Sequence, residues 1–146
     1  MSTHEGQTFE HPLLGPLTGL TNASTPRTIQ FRSIPFALIP NRFRQSTLLT
    51  NLPTIHSRNF TSYGTACPSP PQTDQIEASG GLLPGEEERK FDEKTCLNLT
   101  ISAPRYAIDD EKRRLPVMVY VHGGGFTVGS AHTSALHGKS SFHIPM

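Results

Sequence analysis

A chain of 146 residues is the size of one domain, yet apolar residues make up only 34% of it and 12 Gly and 13 Pro interrupt it, so its core must be thin. With 13 Lys and Arg against 12 Asp and Glu the formal charge is +1, and no charge excess draws the chain toward nucleic acid or an anionic membrane. No run approaches the ~18 apolar residues of a transmembrane helix, and "MSTHEGQTFEHPLLG" has neither the basic nor the apolar region of a secretory signal.

The first ten residues are polar and are expected to be disordered. "HPLLGPLTGL" (11–20) sets leucines around Gly15, Pro16 and Gly19, which suits a short hairpin better than a helix. In "RTIQFRSIPFALIP" (27–40), alternating β-branched and aromatic residues predict a strand over 28–32 and extended chain through Pro35 and Pro40. From Asn41 to Gly85 the chain is rich in Pro, Ser, Thr and Gly with no helical period, the chemistry of a long surface excursion. "TCLNLTISAP" (95–104) turns Leu97, Leu99 and Ile101 to one face and Asn98, Thr100 and Ser102 to the other, a half-buried strand. After the charged turn 105–114, "LPVMVYVH" (115–122) is apolar at every position from Val117 to Val121, as in a strand covered on both faces. It stops on Gly123, Gly124 and Gly125, and a buried strand ending in a glycine loop is where α/β proteins commonly place a site.

Four uses of those glycines are open. A phosphate cradle needs G-x-x-x-x-G-K-[ST], but Ser130-Ala131 follows Gly129, and Thr133 stands where the first glycine before Gly138-Lys139-Ser140 is required. The dinucleotide pattern G-x-G-x-x-G fails at Val128, and no acidic residue follows Glu111 to hold a ribose, so no nucleotide cofactor is expected. His122, His132, His137 and His143 have no metal-ligand spacing and no Cys or acid joins them, so no metal is expected either. What remains is a plain glycine turn, or an oxyanion hole in which rigid backbone amides meet the charge that develops on an ester oxygen. Two cysteines, Cys67 and Cys96, and three N-x-[ST] sequons, at Asn22, Asn59 and Asn98, stay open at this level.

Six segments decide among these readings. "PLLGPLTGL", "TIQFRSIPFA", "NRFRQ", "TACP", "TCLNLTISAP" and "LPVMVYVHGGGFTVGS" stand in the order and spacing of the type-B carboxylesterase and cholinesterase-like lipase family, and resemble its fungal members most. The resemblance covers residues 11–132, leaving 133–146 as a divergent tail. It implies an α/β fold, namely the N-terminal part of an α/β-hydrolase with an incomplete mixed β-sheet. Its β-hairpin region would cover about 11–37, and main-sheet strands would lie side by side near 97–103 and 116–121.

For the site, the resemblance implies that Gly124 and Gly125 lend amides to an oxyanion hole, that Gly123 makes the turn and that His122 braces it. Phe126 would be an acyl-pocket wall or a core residue. Cys67 and Cys96 would form a disulfide across 28 intervening residues, and Arg42 would pair with Asp92 or Glu93. The substrate class would be small-molecule carboxylic esters, with no nucleic-acid partner and the oligomeric state open. The cytoplasm is slightly favoured as location, with secretion open to the family.

The catalytic residues themselves are missing from this sequence. In α/β-hydrolases the triad follows the oxyanion loop in the order Ser, Asp or Glu, His. No G-x-S-x-G occurs, since Ser130, Ser134, Ser140 and Ser141 lack the flanking glycines, and no acid remains after Glu111 to orient a base. The chain thus reads as an N-terminal fragment of a serine esterase that is inactive alone, or as an inactive truncated product or interaction module.

Overall fold

The computed structural model describes residues 4–12, 14–22, 25–52, 58–70, 90–108, 110, 112–127 and 129–131. Among the described residues strands dominate: β1 (His4–His11), β2 (Gly15–Asn22), β3 (Thr25–Pro35), β4 (Ala37–Leu38), β5 (Thr47–Leu48) and β6 (Asn98–Pro104), with a 3-10 turn at Arg105–Ala107 after β6. Four of them form a sheet in the order β1-β2-β3-β6, antiparallel at each pairing, and β4 pairs with β5 in a separate ribbon. Among the described residues, parallel pairing occurs as the isolated bridges Thr18–Asn59 and Ala66–Phe91.

The hairpin expected around Gly15 is present, with His11 opposite Gly15 and the ladder running back to His4 opposite Asn22. Its first strand corrects the expectation of disorder over 4–10, because His4–His11 is paired along its length; residues 1–3 lie outside the described residues. The polar composition that suggested disorder suits an edge strand, which needs only one partner and one buried face. Phe9 supplies that face, meeting Phe31 edge-to-face with centroids 6.3 Å apart.

The core is small. Ile29 is fully buried, and Phe31 and Phe60 pack with it, flanked by Phe9, Leu17, Ile34, Leu52 and Ile108. Gly19 leaves the room these side chains fill, since a Cβ there would lie 2.8 Å from atoms of Ile29 and Phe31. β3 runs longer than the predicted 28–32 and bends at a bulge between Phe31 and Ile34, where Ser33 takes φ 60°.

β6 lies where the alternation of 95–104 placed it, but its burial follows position along the strand more than face. Asn98 is 8% exposed and Leu99 and Thr100 are half-buried, whereas Ile101 is 46% exposed and Ser102 is exposed as well. An apolar face needs a second layer, and the described residues leave Ile101 without one.

The same lack explains the main departure from expectation. Residues 116–121 form neither a helix nor a paired strand, and they do not join β6; Val117 to Val121 are 61–84% exposed. A strand apolar on both faces is stabilised by neighbours on both sides and by ladder partners, and the described residues supply neither.

The excursion between β5 and β6 is held at points rather than along a sheet. The Thr18 amide donates to the Arg58 carbonyl, the Phe60 amide to the Thr18 carbonyl and the Arg32 amide to the Phe60 carbonyl, each at 2.8 Å. The Arg32 guanidinium stacks 3.9 Å over the Tyr63 ring. Farther on, the Ala66 amide donates to the Lys90 carbonyl at 2.8 Å and the Asp92 amide returns to Ala66 at 3.1 Å.

Candidate functional site

The glycine loop turns twice. The Thr127 amide donates to the Gly124 carbonyl at 3.1 Å, and its hydroxyl reaches the same oxygen at 3.3 Å. The residues enclosed, Gly125 and Phe126, have φ of 59° and 63°, the left-handed pairing of a type I′ turn. For a bulky residue such as Phe126 this conformation stores about 1–3 kcal/mol of strain. Its side chain is fully exposed, which rules out the core-packing reading for the described part of the chain.

Gly124, at φ 131°, sits in backbone space that only glycine occupies readily. Among the described residues, the amides of Gly124 and Gly125 meet no acceptor. An added Cβ at Gly123 or Gly125 would touch nothing within 4 Å, so the surface beside the loop is open.

His122 closes the loop from behind. Its Nδ1 lies 2.9 Å from the Gly123 carbonyl, a contact that requires the proton on Nδ1. Gly129 then brings the chain back: a Cβ there would lie 2.2 Å from the Gly123 oxygen and 2.6 Å from His122 Nδ1. That return contact escaped the sequence reading, in which Gly129 served only to test phosphate-loop spacing. The signal available was a glycine six residues beyond Gly123. His132, His137 and His143, and the tail 133–146, lie outside the described residues.

Cys67 and Cys96 are both free thiols, Cys67 exposed and Cys96 half-buried. They are neighbours: burial first, then the charge and hydrogen bond of Cys67, push the Cys96 thiol from 9.0 up to about 11. A raised thiol pKa favours the folded state below pH 9.0 and loses that contribution as pH rises through about 11. Cys96 also donates to the Glu93 carbonyl at 3.7 Å. One turn upstream, the Asp92 carboxylate accepts from the Thr95 hydroxyl and amide and from the Lys94 amide, which together hold its pKa below 3.8.

Arg42 Nε pairs with Glu93 Oε2, the acid that the resemblance left undecided between two. Arg42 is largely exposed and Glu93 partly so, and solvent screening leaves the pair fixing geometry more than adding stability. An open depression of about 550 Å³ lies beside it, between Phe43, Arg44 and Lys94. It contains no His or Cys and no residue of the glycine loop.

Comparison with known proteins assigns the chain to a family. The profile of the carboxylesterase family matches residues 7–143, beginning before residue 11 and running past residue 132, where the segment resemblance stops. Carboxylesterase 1E of Rattus norvegicus is 36% identical over 131 residues, which is 86% of this chain and 22% of that protein. Chlorogenic acid esterase of Aspergillus niger is 34% identical over 121 residues, 79% of this chain and 22% of that enzyme. Liver carboxylesterase 1 of Oryctolagus cuniculus is 36% identical over 135 residues, again 86% and 22%. The chain therefore spans 22% of the length of these relatives, and with a family match over most of its residues it belongs to the carboxylesterase family.

Proposed function

We propose that this chain supplies the oxyanion-hole part of a carboxylic-ester hydrolase, with Gly124 and Gly125 as the amide donors. In that reading Gly123 forms the turn and His122, through its Nδ1 contact, braces the loop. The observation that supports this reading is the pair of amides that meet no acceptor among the described residues, on a loop whose Gly124 takes φ 131°. Family membership implies an α/β-hydrolase fold and ester substrates of small-molecule size. The nucleophile, acid and base would come from sequence that these residues do not contain, so the chain alone is catalytically silent.

The loop can be tested in an enzyme that has the rest of the machinery. Replacing the matched N-terminal segment of the Aspergillus niger chlorogenic acid esterase by residues 7–131 should give a chimera that hydrolyses simple activated esters. Gly124→Ala in that chimera keeps the N–H, but at φ 131° it forces the backbone to move and turns that amide off the oxyanion, so kcat should fall by about 10²–10³, as when a donor is lost. Fluorophosphonate labelling reports whether the nucleophile is still in place. A labelled chimera whose kcat ignores the substitution would sink the assignment.

We also propose that Cys67 and Cys96 are the two halves of one disulfide. Closing 28 intervening residues would stabilise the fold by roughly 3 kcal/mol in the chain-entropy model. Oxidation with glutathione disulfide should give an intramolecular bridge, seen as loss of two hydrogens by mass and loss of both maleimide-reactive thiols. The rate should climb between pH 7 and pH 9, because a Cys96 thiol at about 11 is almost wholly protonated at neutrality. Two thiols still alkylated after oxidation would refute the pairing.

A further inference from the structure

A peptide unit is planar and rigid, so an amide N–H is aimed by whatever holds the carbonyl at the other end of its plane. The Gly124 amide shares its plane with the Gly123 carbonyl, and the Gly125 amide shares its plane with the Gly124 carbonyl. In the glycine loop a different residue holds each of these carbonyls.

The Gly123 oxygen lies 2.9 Å from His122 Nδ1. Gly129 returns so close that a Cβ there would stand 2.2 Å from the same oxygen and 2.6 Å from Nδ1. An ordinary contact needs about 3.5 Å, so a side chain at 129 would displace the Gly123 carbonyl, or its own backbone, by more than about 1 Å. The Gly124 oxygen accepts from the Thr127 amide at 3.1 Å and from the Thr127 hydroxyl at 3.3 Å. Every residue but proline would bring that amide, so the hydroxyl is what the choice of Thr adds. Val117 to Val121, which lead into the loop, join no sheet among the described residues and are 61–84% exposed. The direction of the two amides is therefore set by contacts within the loop.

Resting on the oxyanion reading of these amides, we propose that Gly129 and Thr127 are positioning residues of that hole. Gly129 aims the Gly124 amide through the Gly123 carbonyl, and Thr127 aims the Gly125 amide through the Gly124 carbonyl. Both act through peptide planes rather than on the ester, and direction matters because a donor stabilises the oxyanion only when aligned at hydrogen-bond distance.

Labelling the glycines of the full chain with ¹⁵N reads the two donor amides separately by NMR. Gly129→Ala should move the Gly124 resonance most. Gly129→Asn should do the same although Asn tolerates positive φ, because its Cβ meets the same oxygen. Thr127→Val should move the Gly125 resonance and leave Gly124 nearly in place, and Thr127→Ser, which keeps the hydroxyl, should restore it. Gly15→Ala controls for general loosening: it strains a φ of 71° at the β1–β2 hairpin with nothing within 4 Å, and both amides should stay where they are.

In the esterase chimera, Gly129→Ala should lower kcat about 10²-fold, the effect of a misplacement of about 1 Å. Thr127→Val should lower it roughly three- to tenfold, as for the loss of a single hydrogen bond. KM should change little in either, and Thr127→Ser should regain most of the rate. Two amides that shift together in every variant would overturn this assignment. So would a kcat that falls with Gly124→Ala but ignores Gly129→Ala and Thr127→Val, and the oxyanion reading would then still stand. A kcat indifferent to Gly124→Ala as well would sink that reading and this assignment with it.

Discussion

Residues 1–146 made alone should hydrolyse p-nitrophenyl acetate no faster than the same chain after denaturation and take no label from a serine-directed fluorophosphonate. Free imidazole and thiol groups give only a slow, unsaturable background with the ester; turnover and labelling need an activated serine oxygen, and activation needs a base held at hydrogen-bond distance and oriented by a third group. Here no serine has the flanking glycines of a nucleophile elbow, and no acid follows the loop. Ser130, which ends the loop, is 5% exposed and is buried from both reagents. Removing the nucleophile of a serine hydrolase costs about 10⁶ in kcat even when every other part stays, so the expected signal lies below the chemical background. Stoichiometric labelling of any serine would show a catalytic centre that this sequence does not announce.

The second large effect is on solubility. Val117 to Val121 expose five apolar side chains in succession, and each is worth about 1.5–3 kcal/mol on burial. The run carries no charge and no proline, and its residues are β-formers, the composition from which strands of separate molecules pair. Concentrating the chain should therefore produce light scattering that grows with protein concentration. Val119→Lys sets a charge in the middle of the run and should cut the aggregated fraction severalfold, as gatekeeper charges do. The substitution falls on a side chain 79% exposed, outside the Ile29–Phe31–Phe60 cluster, so the sheet should be unaffected. Equal scattering by both proteins would mean that another surface drives association.

The sequence disclosed those features whose cause is local. Gly15 between two leucine-bearing stretches announced the hairpin, and the alternation in 27–32 and 95–104 announced β3 and β6. The partner acid of Arg42 was narrowed to Asp92 or Glu93 before the geometry selected Glu93. Features set by what lies opposite were read less well. β1 looked disordered because its stability comes from the β2 ladder and one aromatic contact, neither visible in its own composition. The faces of β6 were assigned by hydropathy, but Asn98 is buried because two carbonyls satisfy its amide, a pairing that hydropathy does not encode. At the site, the three glycines in a row were legible and the contact of Gly129 with Gly123 was not, because it depends on the loop already being folded.

The bonds joining Ala66 to Lys90 and Asp92 also bear on how the chain length can change. They fix Ala66 and Lys90 near one another whatever lies between, and the Asn98 bond to Thr65 and the 2.8 Å contact of the Thr65 and Thr95 hydroxyls hold the same neck. Once a neck is closed, the free energy of the segment it closes rises only with the logarithm of length, about 0.6 kcal/mol per doubling. A flexible insertion that doubled the closed length would thus cost less than losing one well-made hydrogen bond to a charged group. The neck, rather than the stretch it closes, is where descendants of this chain must keep their spacing, and inserted sequence of almost any length can accumulate beyond it while the sheet and the glycine loop stay as they are.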